Sequence, residues 1–419
     1  EPKKQHLIKR SPLIKRFVQY YMVMTYFFFL SLFGARYKEE KSDILFDEKY
    51  ILKKHSWFPT YYDPIIKYLS NKNYEFKVFL NPLLIKEIFA KKNKLYEYEI
   101  PIIDRRYAYF YFDKVISRQI LTNEIFSFRQ VYEVSNEIKI DFVNIYLRII
   151  RQIAVSESQS KNITANFLIT AGDHYFNGIH HYIIKRNGIK NLITIQNGMR
   201  VKNTEGACNY FYSDYYLAHN DETASKYLNN VFCGKKLSIG SFLSGVLFYK
   251  YKNLNLPITN DILFWHHPAE SKLTQMKFPG TLEMVRKIID NLAIFMKQNP
   301  SFSLHYITKN DLTGDHFFEE CKEKLNSTNV KFSSIYGNDA YKCIYQSKLV
   351  INIWSTMGYE SLGFDKRILY ISYDNLIDSM LLEDFKNNNY ASLHDKSYDA
   401  FENRVLTLLN QEDDDIDKF

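Results

Sequence analysis

Apolar positions along the 419-residue chain fall into two alternating series, in which short β-branched runs are followed by longer amphipathic stretches. In the first series, Asp43 to Phe46 predicts a strand, Tyr62 to Leu69 a helix and Phe76 to Leu80 a strand. The segment to about Ser160 predicts mostly long amphipathic helix, including Ile138 to Val155. The alternation then sharpens. A strand over Phe167 to Thr170 runs into Ala171-Gly172-Asp173, a helix is expected over Phe176 to Lys185, and a strand over Leu192 to Ile195 ends in Gln196-Asn197-Gly198-Met199-Arg200. Tyr215 to Ala218 and Leu237 to Ile239 read as two more strands, the second leading into Gly240-Ser241. Between Gly245 and Asp261 the pattern lapses into Tyr, Lys, Asn and Pro, which predicts a linker.

A second series follows, with strands over Ile262 to Trp265, Leu304 to Thr308, Val330 to Ser333 and Leu349 to Trp354, and helices over Leu282 to Met296 and Ala340 to Ser347. Strands separated by helices imply parallel sheets covered by helices. The expected architecture is α/β, with two Rossmann-like domains facing a cleft, residues 1–250 and 251–419. No internal repeat is visible.

The most apolar run, Phe17 to Gly34, approaches the length of a membrane span but contains Gln19, Tyr20, Tyr21 and Thr25. Lys15-Arg16 precede it and Arg36 and Lys38 follow. The reading favoured is a buried or interfacial helix whose basic flanks meet an anionic membrane surface. It lacks the small-residue cleavage site of a signal peptide. The chain opens at Glu1 without an initiator methionine, so a piece of a longer protein is expected.

Composition changes this picture little. Hydrophobic residues make up 46% of the chain, ample for two cores, and the formal net charge of +8 favours anionic partners: a nucleotide donor or a lipid surface. No basic block or RNA-binding signature points to nucleic acid. Cys208, Cys233, Cys321 and Cys343 show no CxxC spacing, so neither a zinc site nor a disulfide framework is expected, and a cytoplasmic setting fits. No metal or cofactor is expected.

The candidate chemistry gathers at predicted strand ends, where open α/β sheets bind their ligands. Leu349 to Ile371 reads strand, turn, helix, strand. Ser355 and Thr356 stand at the tip of its helix, where hydroxyls and unpaired amides suit a phosphate, or form an ordinary cap. Glu360, about one turn on, is placed to accept from ribose hydroxyls. His266-His267-Pro268 follows another strand of the same half, where an imidazole suits a phosphate oxygen or simply closes a loop. Lys309, after Leu304 to Thr308, is a weaker candidate of the same kind. In the N-terminal half Asp173 and Asp221 follow strands and suit a general base or nucleophile, or helix caps. Asn197 and Arg200 suit donor or acceptor anions, or a turn around Gly198.

His267-Pro268 with Ser355-Thr356 resembles the motif pair of bacterial GT-B glycosyltransferases that use CMP-activated acidic sugars, the sialyltransferases and Kdo transferases. The CDP-glycerol and CDP-ribitol phosphotransferases of teichoic acid synthesis carry a similar pair. Leu168 to Arg200 resembles surface-carbohydrate biosynthesis proteins of capsule and lipopolysaccharide loci. The likeness spans about residues 165 to 375. It implies that the histidine and the hydroxyl residues bind the donor phosphate without metal, and that a carboxylate of the N-terminal half acts as base or nucleophile. Where the sialyltransferases carry paired acidic residues before a glycine, this chain has Asp173 followed by His174. The function implied is transfer of an acidic sugar such as Kdo or sialic acid, from a CMP donor to a capsule or lipopolysaccharide glycan, by a protein peripheral to the inner membrane. A CDP-polyol phosphotransferase is the nearest alternative, an epimerase needing no acceptor is another, and a non-catalytic scaffold of glycan assembly comes from a different class.

Overall fold

Two parallel sheets organise the chain. In the computed structural model the described residues are 13–48, 61–80, 100–124, 126–138, 140–171, 178–198, 211–226, 231–266, 276, 278–308, 315–335, 338–378, 381–386, 388 and 390–410. The first sheet contains β1 (Glu40–Glu48), β2 (Phe76–Leu80), β3 (Ile102–Asp104), β4 (Ile163–Thr170), β5 (Ile189–Ile195), β6 (Phe211–Ala218) and β7 (Val231–Ser238). Their order is β3-β2-β1-β4-β5-β6-β7, and the pairings from β3 through β5 are parallel. The second contains β8 (Asn260–Trp265), β9 (Leu304–Thr308), β10 (Val330–Ser334), β11 (Ser347–Asn352), β12 (Arg367–Ile371) and β13 (Ser392–Leu393). Its order is β10-β9-β8-β11-β12-β13, parallel throughout. Strand order reverses between β1 and β4 in one sheet and between β8 and β11 in the other, which makes these the topological switch points.

The chain divides into two compact units: Glu1–Ile195 with Ala207–Tyr216 and Asn230–Lys235, and Gln196–Gly206 with Leu217–Asn229 and Lys236–Phe419. In the second unit both sheet faces are covered, as near-continuous apolar strands require. Helices Thr281–Gln298, His316–Lys324 and Tyr398–Asn410 contribute to one core with Phe264, Tyr306, Ile351 and Leu369. On the other face, Leu247, Tyr251, Tyr341 and Ile344 pack against Leu263, Ile307 and Val350.

Two expectations change. The long amphipathic stretch before Ser160 is broken by caps into helices Lys114–Gln119, Phe128–Glu137 and Phe142–Ser160. Asp113 accepts from Val115 N at 2.9 Å, Ser127 forms a capping box with Gln130, and Asp141 accepts from the Asn144 side chain at 2.9 Å. The stretch expected to begin the linker is instead helix Phe242–Asn253, capped by the Ser241 hydroxyl, which accepts from Ser244 N at 3.2 Å. Its exposed positions carry Tyr249, Lys250 and Lys252 while Leu247 and Tyr251 are buried, so its apolar stripe is too narrow to stand out in the sequence.

The apolar run near the start forms helix Leu13–Phe33. Among the described residues no helix is long and apolar enough to cross a membrane.

Candidate functional site

Register places the candidate motifs of the second unit side by side. β8 pairs with β11, Phe264 opposite Ile351, so His266 and Ser355 follow the carboxyl ends of adjacent strands at the switch point. Beyond β11 the chain turns through an asparagine clamp: Asn352 Oδ1 accepts from Ser355 N at 3.3 Å, and its Nδ2 donates to the Ser355 carbonyl at 3.0 Å. Ser355 then caps helix Thr356–Leu362, its hydroxyl accepting from Met357 N at 3.3 Å. Gly358 lets this turn close. A Cβ there would lie on top of Asn352 Nδ2 and 2.8 Å from the Tyr370 hydroxyl, both in a packed interior. Gly358→Ala is therefore expected to cost about 2 kcal/mol, because the clamp has no room to move. Chemical denaturation measures it, and an unchanged midpoint would mean that the turn is not held by Asn352.

Glu360 is a buried acid in the wall of the site. Its side chain is buried, and its two oxygens are each taken by a hydroxyl: Ser241 donates to Oε1 and Tyr341 to Oε2, both at 2.6 Å. Burial pushes its carboxyl up to about 7, against the pull of these two donors. Glu360 lines a cavity of about 370 Å³ with His219, Asn220, Gly240, Ser241 and Tyr359. Gly240 adopts φ +78°, a conformation that favours glycine, and this turn brings Ser241 into the cavity wall. Each carboxylate oxygen has a second acceptor position, so Glu360 can receive a hydroxyl from a ligand while keeping its protein donors.

His266 lies in the core. Its Nδ1 is 2.6 Å from the Tyr306 hydroxyl, and its ring packs among Tyr306, Phe317 and Phe318. Burial pushes its pKa down to about 4, so it is neutral at neutral pH and supplies no positive charge to a phosphate. Asp221 begins helix Asp221–Lys226, exposed, and accepts from the Ser238 hydroxyl. The cap is Asn220, which accepts from Thr223 N at 2.7 Å. Asn197 is half-buried beside Gln196, whose amide donates to the Gly198 carbonyl at 2.8 Å and accepts from His219 N at 2.8 Å. Asp173, Arg200, His267, Pro268 and Lys309 lie outside the described residues.

Several site residues escaped sequence reasoning. Ser241 stood in view after a predicted strand but carried no role, and nothing in the sequence ties Tyr341 to Glu360. In the first unit, Asp47 and Glu48 end β1 at its switch point and are 0% exposed. Their signal was the one applied to Asp173, a carboxylate directly after an apolar strand. The Tyr62 hydroxyl donates to the Asp47 carbonyl at 2.7 Å, and burial, with Glu48 and Asp47 nearby, holds the phenol well above its ordinary pKa.

No family model matches the sequence, and no curated protein is similar to it. Solved structures are similar in fold. A UDP-GlcNAc 2-epimerase from Neisseria meningitidis bound to UDP-GlcNAc superposes with a TM-score of 0.50 at 11% identity, over 89% of this chain and 95% of that one. A protein from Listeria monocytogenes assigned as a UDP-N-acetylglucosamine 2-epimerase gives 0.50 at 11%, over 90% of each. The fold is of the GT-B type. The wall teichoic acid polymerase TagF aligns over 97% of this chain and 92% of its own at 12% identity, with a TM-score of 0.45. At such identities the GT-B likeness fixes architecture, and function has to be argued from the residues.

Proposed function

We propose that the protein is a glycosyltransferase that binds a nucleotide-activated sugar in its second unit, in the cavity walled by Glu360. The observation that carries this reading is the buried Glu360 carboxylate, held between Ser241 and Tyr341 in the wall of that cavity, one turn beyond the Ser355 cap at a switch point. A ribose diol supplies the hydroxyls that Glu360 can still accept, and the Ser355 and Thr356 hydroxyls and His267-Pro268 take up the phosphate. Lys309, Asn197 and Arg200 are assigned to anionic groups of donor or acceptor. In the first unit Asp173 serves as general base; the β1 pair Asp47 and Glu48 of that unit and Asp221 of the second unit are the other carboxylates to be tested.

The donor proposed is a CMP-linked acidic sugar and the acceptor a surface glycan, on the resemblance of His267-Pro268 and Ser355-Thr356. Ser355→Ala with Thr356→Val is expected to lower CMP affinity about tenfold without abolishing it, since the backbone amides remain. Calorimetry with CMP, CDP and UDP measures this, and equal affinity in wild type and double variant would move the phosphate elsewhere. Product analysis with and without a glycan acceptor separates the chemistries. Sugar transfer supports this reading, polyol phosphate transfer would make the protein a phosphotransferase, and an altered sugar without acceptor would make it an epimerase.

A further inference from the structure

Helix Leu13–Phe33 is held to the first unit by one narrow side. Tyr20, Phe27 and Leu30 are buried against Phe112, Val131 and Tyr146, and Arg16 pairs with Asp141 at 3.2 Å with both side chains 3% exposed. The rest of its circumference is open. Ile14, Met22, Phe28 and Phe33 are 77, 66, 58 and 59% exposed, and Phe17, Val18, Tyr21, Phe29 and Leu32 are exposed beside them. The helix contains no acidic residue, and Lys15 is the one charge on its open side. A groove of about 1000 Å³ runs along it between Met22, Tyr26 and Phe29 on the helix and Phe110, Phe112 and Arg151 opposite. An apolar surface so continuous marks an interaction face rather than scattered exposure.

Charge identifies the occupant. Exposed Arg36 and Lys38 follow the helix, ahead of exposed Glu39, which pairs with Lys41, and the preceding sequence holds Lys3, Lys4, Lys9 and Arg10 against Glu1. An apolar face with basic residues at its ends matches the boundary between acyl chains and anionic headgroups. Two copies meeting through this face would instead bring like charges together. Arg16, Tyr20, Phe27 and Leu30 bind the helix lengthwise to the unit's own core, an orientation that suits lying along a surface and not crossing a bilayer. We infer that this face seats the protein on an anionic lipid bilayer, with Met22, Phe28 and Phe29 entering the acyl boundary and Lys15, Arg36 and Lys38 meeting lipid phosphates.

Co-sedimentation of the full chain with phosphatidylcholine vesicles, with and without phosphatidylglycerol, tests this. The wild type is expected to partition onto the phosphatidylglycerol vesicles. Met22→Glu with Phe28→Glu should lower that partition at least about tenfold, and Lys15→Gln with Arg36→Gln should lower it about tenfold through the anionic component alone. Tyr249→Glu, at an exposed aromatic of the second unit, should leave it unchanged. Circular dichroism confirms that the variants remain folded, and the charge variant serves if the glutamate pair does not fold. Wild type that ignores the vesicles, or variants that bind as well as wild type, would overturn the inference. So would a wild-type dimer that the Met22→Glu, Phe28→Glu variant converts to monomer, which would assign the face to a second copy.

Discussion

Glu360→Gln is expected to stabilise the protein at pH 8 by about 2 to 3 kcal/mol and to leave it no more stable than wild type at pH 4.5. The sign follows from burial. The folded carboxyl titrates near 7, above its ordinary value of 4.5, so the folded protein holds a proton that the unfolded chain has released across that interval. Stability attributable to Glu360 is therefore fully present below pH 4.5 and is lost as pH rises towards 7 and beyond. Glutamine keeps the shape and carries no charge, so it is spared this loss. The same substitution should weaken CMP about tenfold, since one acceptor oxygen becomes an amide nitrogen. A ribose diol donates to the ionised form, so wild-type affinity should rise with pH through 7, whereas the variant shows only the titration of the CMP phosphate. Denaturation and calorimetry at pH 4.5, 6 and 8 measure both effects. A glutamine variant that is less stable at pH 8 would mean that the Ser241 and Tyr341 hydroxyls more than offset the cost of burying the charge.

The largest loss of turnover is expected in the first unit. Asp173→Asn removes a charge while keeping size, so turnover should fall by about 10² to 10⁴ with CMP affinity near wild type. Asp221→Asn should change turnover little, because Asp221 is exposed and bonded to Ser238. Glu48→Gln should act mainly on stability, given full burial at the end of β1. Should Glu48→Gln abolish turnover in a folded protein while Asp173→Asn retains it, the base belongs to β1 and the assignment of Asp173 fails. A sugar adduct detected by intact mass in any of these variants would indicate a carboxylate nucleophile and retention.

The parallel strands were legible because strands buried on both faces read as short continuous apolar runs, as in DILF within β1 and FKVFL at β2. Their ends were legible too: Ser355 does cap the helix after β11, and His266 does follow β8. What the sequence withheld depends on contacts between distant residues. Ser241 and Glu360 are 119 positions apart, and no local pattern announces that one hydroxyl and one carboxylate will meet. His266 shows the converse. Its position at a strand end was legible, but the aromatic cage of Tyr306, Phe317 and Phe318 that keeps it neutral comes from two other elements, β9 and helix His316–Lys324. Helix Phe242–Asn253 escaped because lysine and tyrosine fill its solvent face, which resembles a loop in composition.

Whether a nucleotide occupies the cavity of the second unit is decided by a crystal structure of the protein soaked with CMP. The account predicts ribose hydroxyls within hydrogen-bonding distance of Glu360, whose bonds to Ser241 and Tyr341 persist, and phosphate at Ser355 and Thr356. Nucleotide bound away from Glu360, with this cavity left to water, would contradict it.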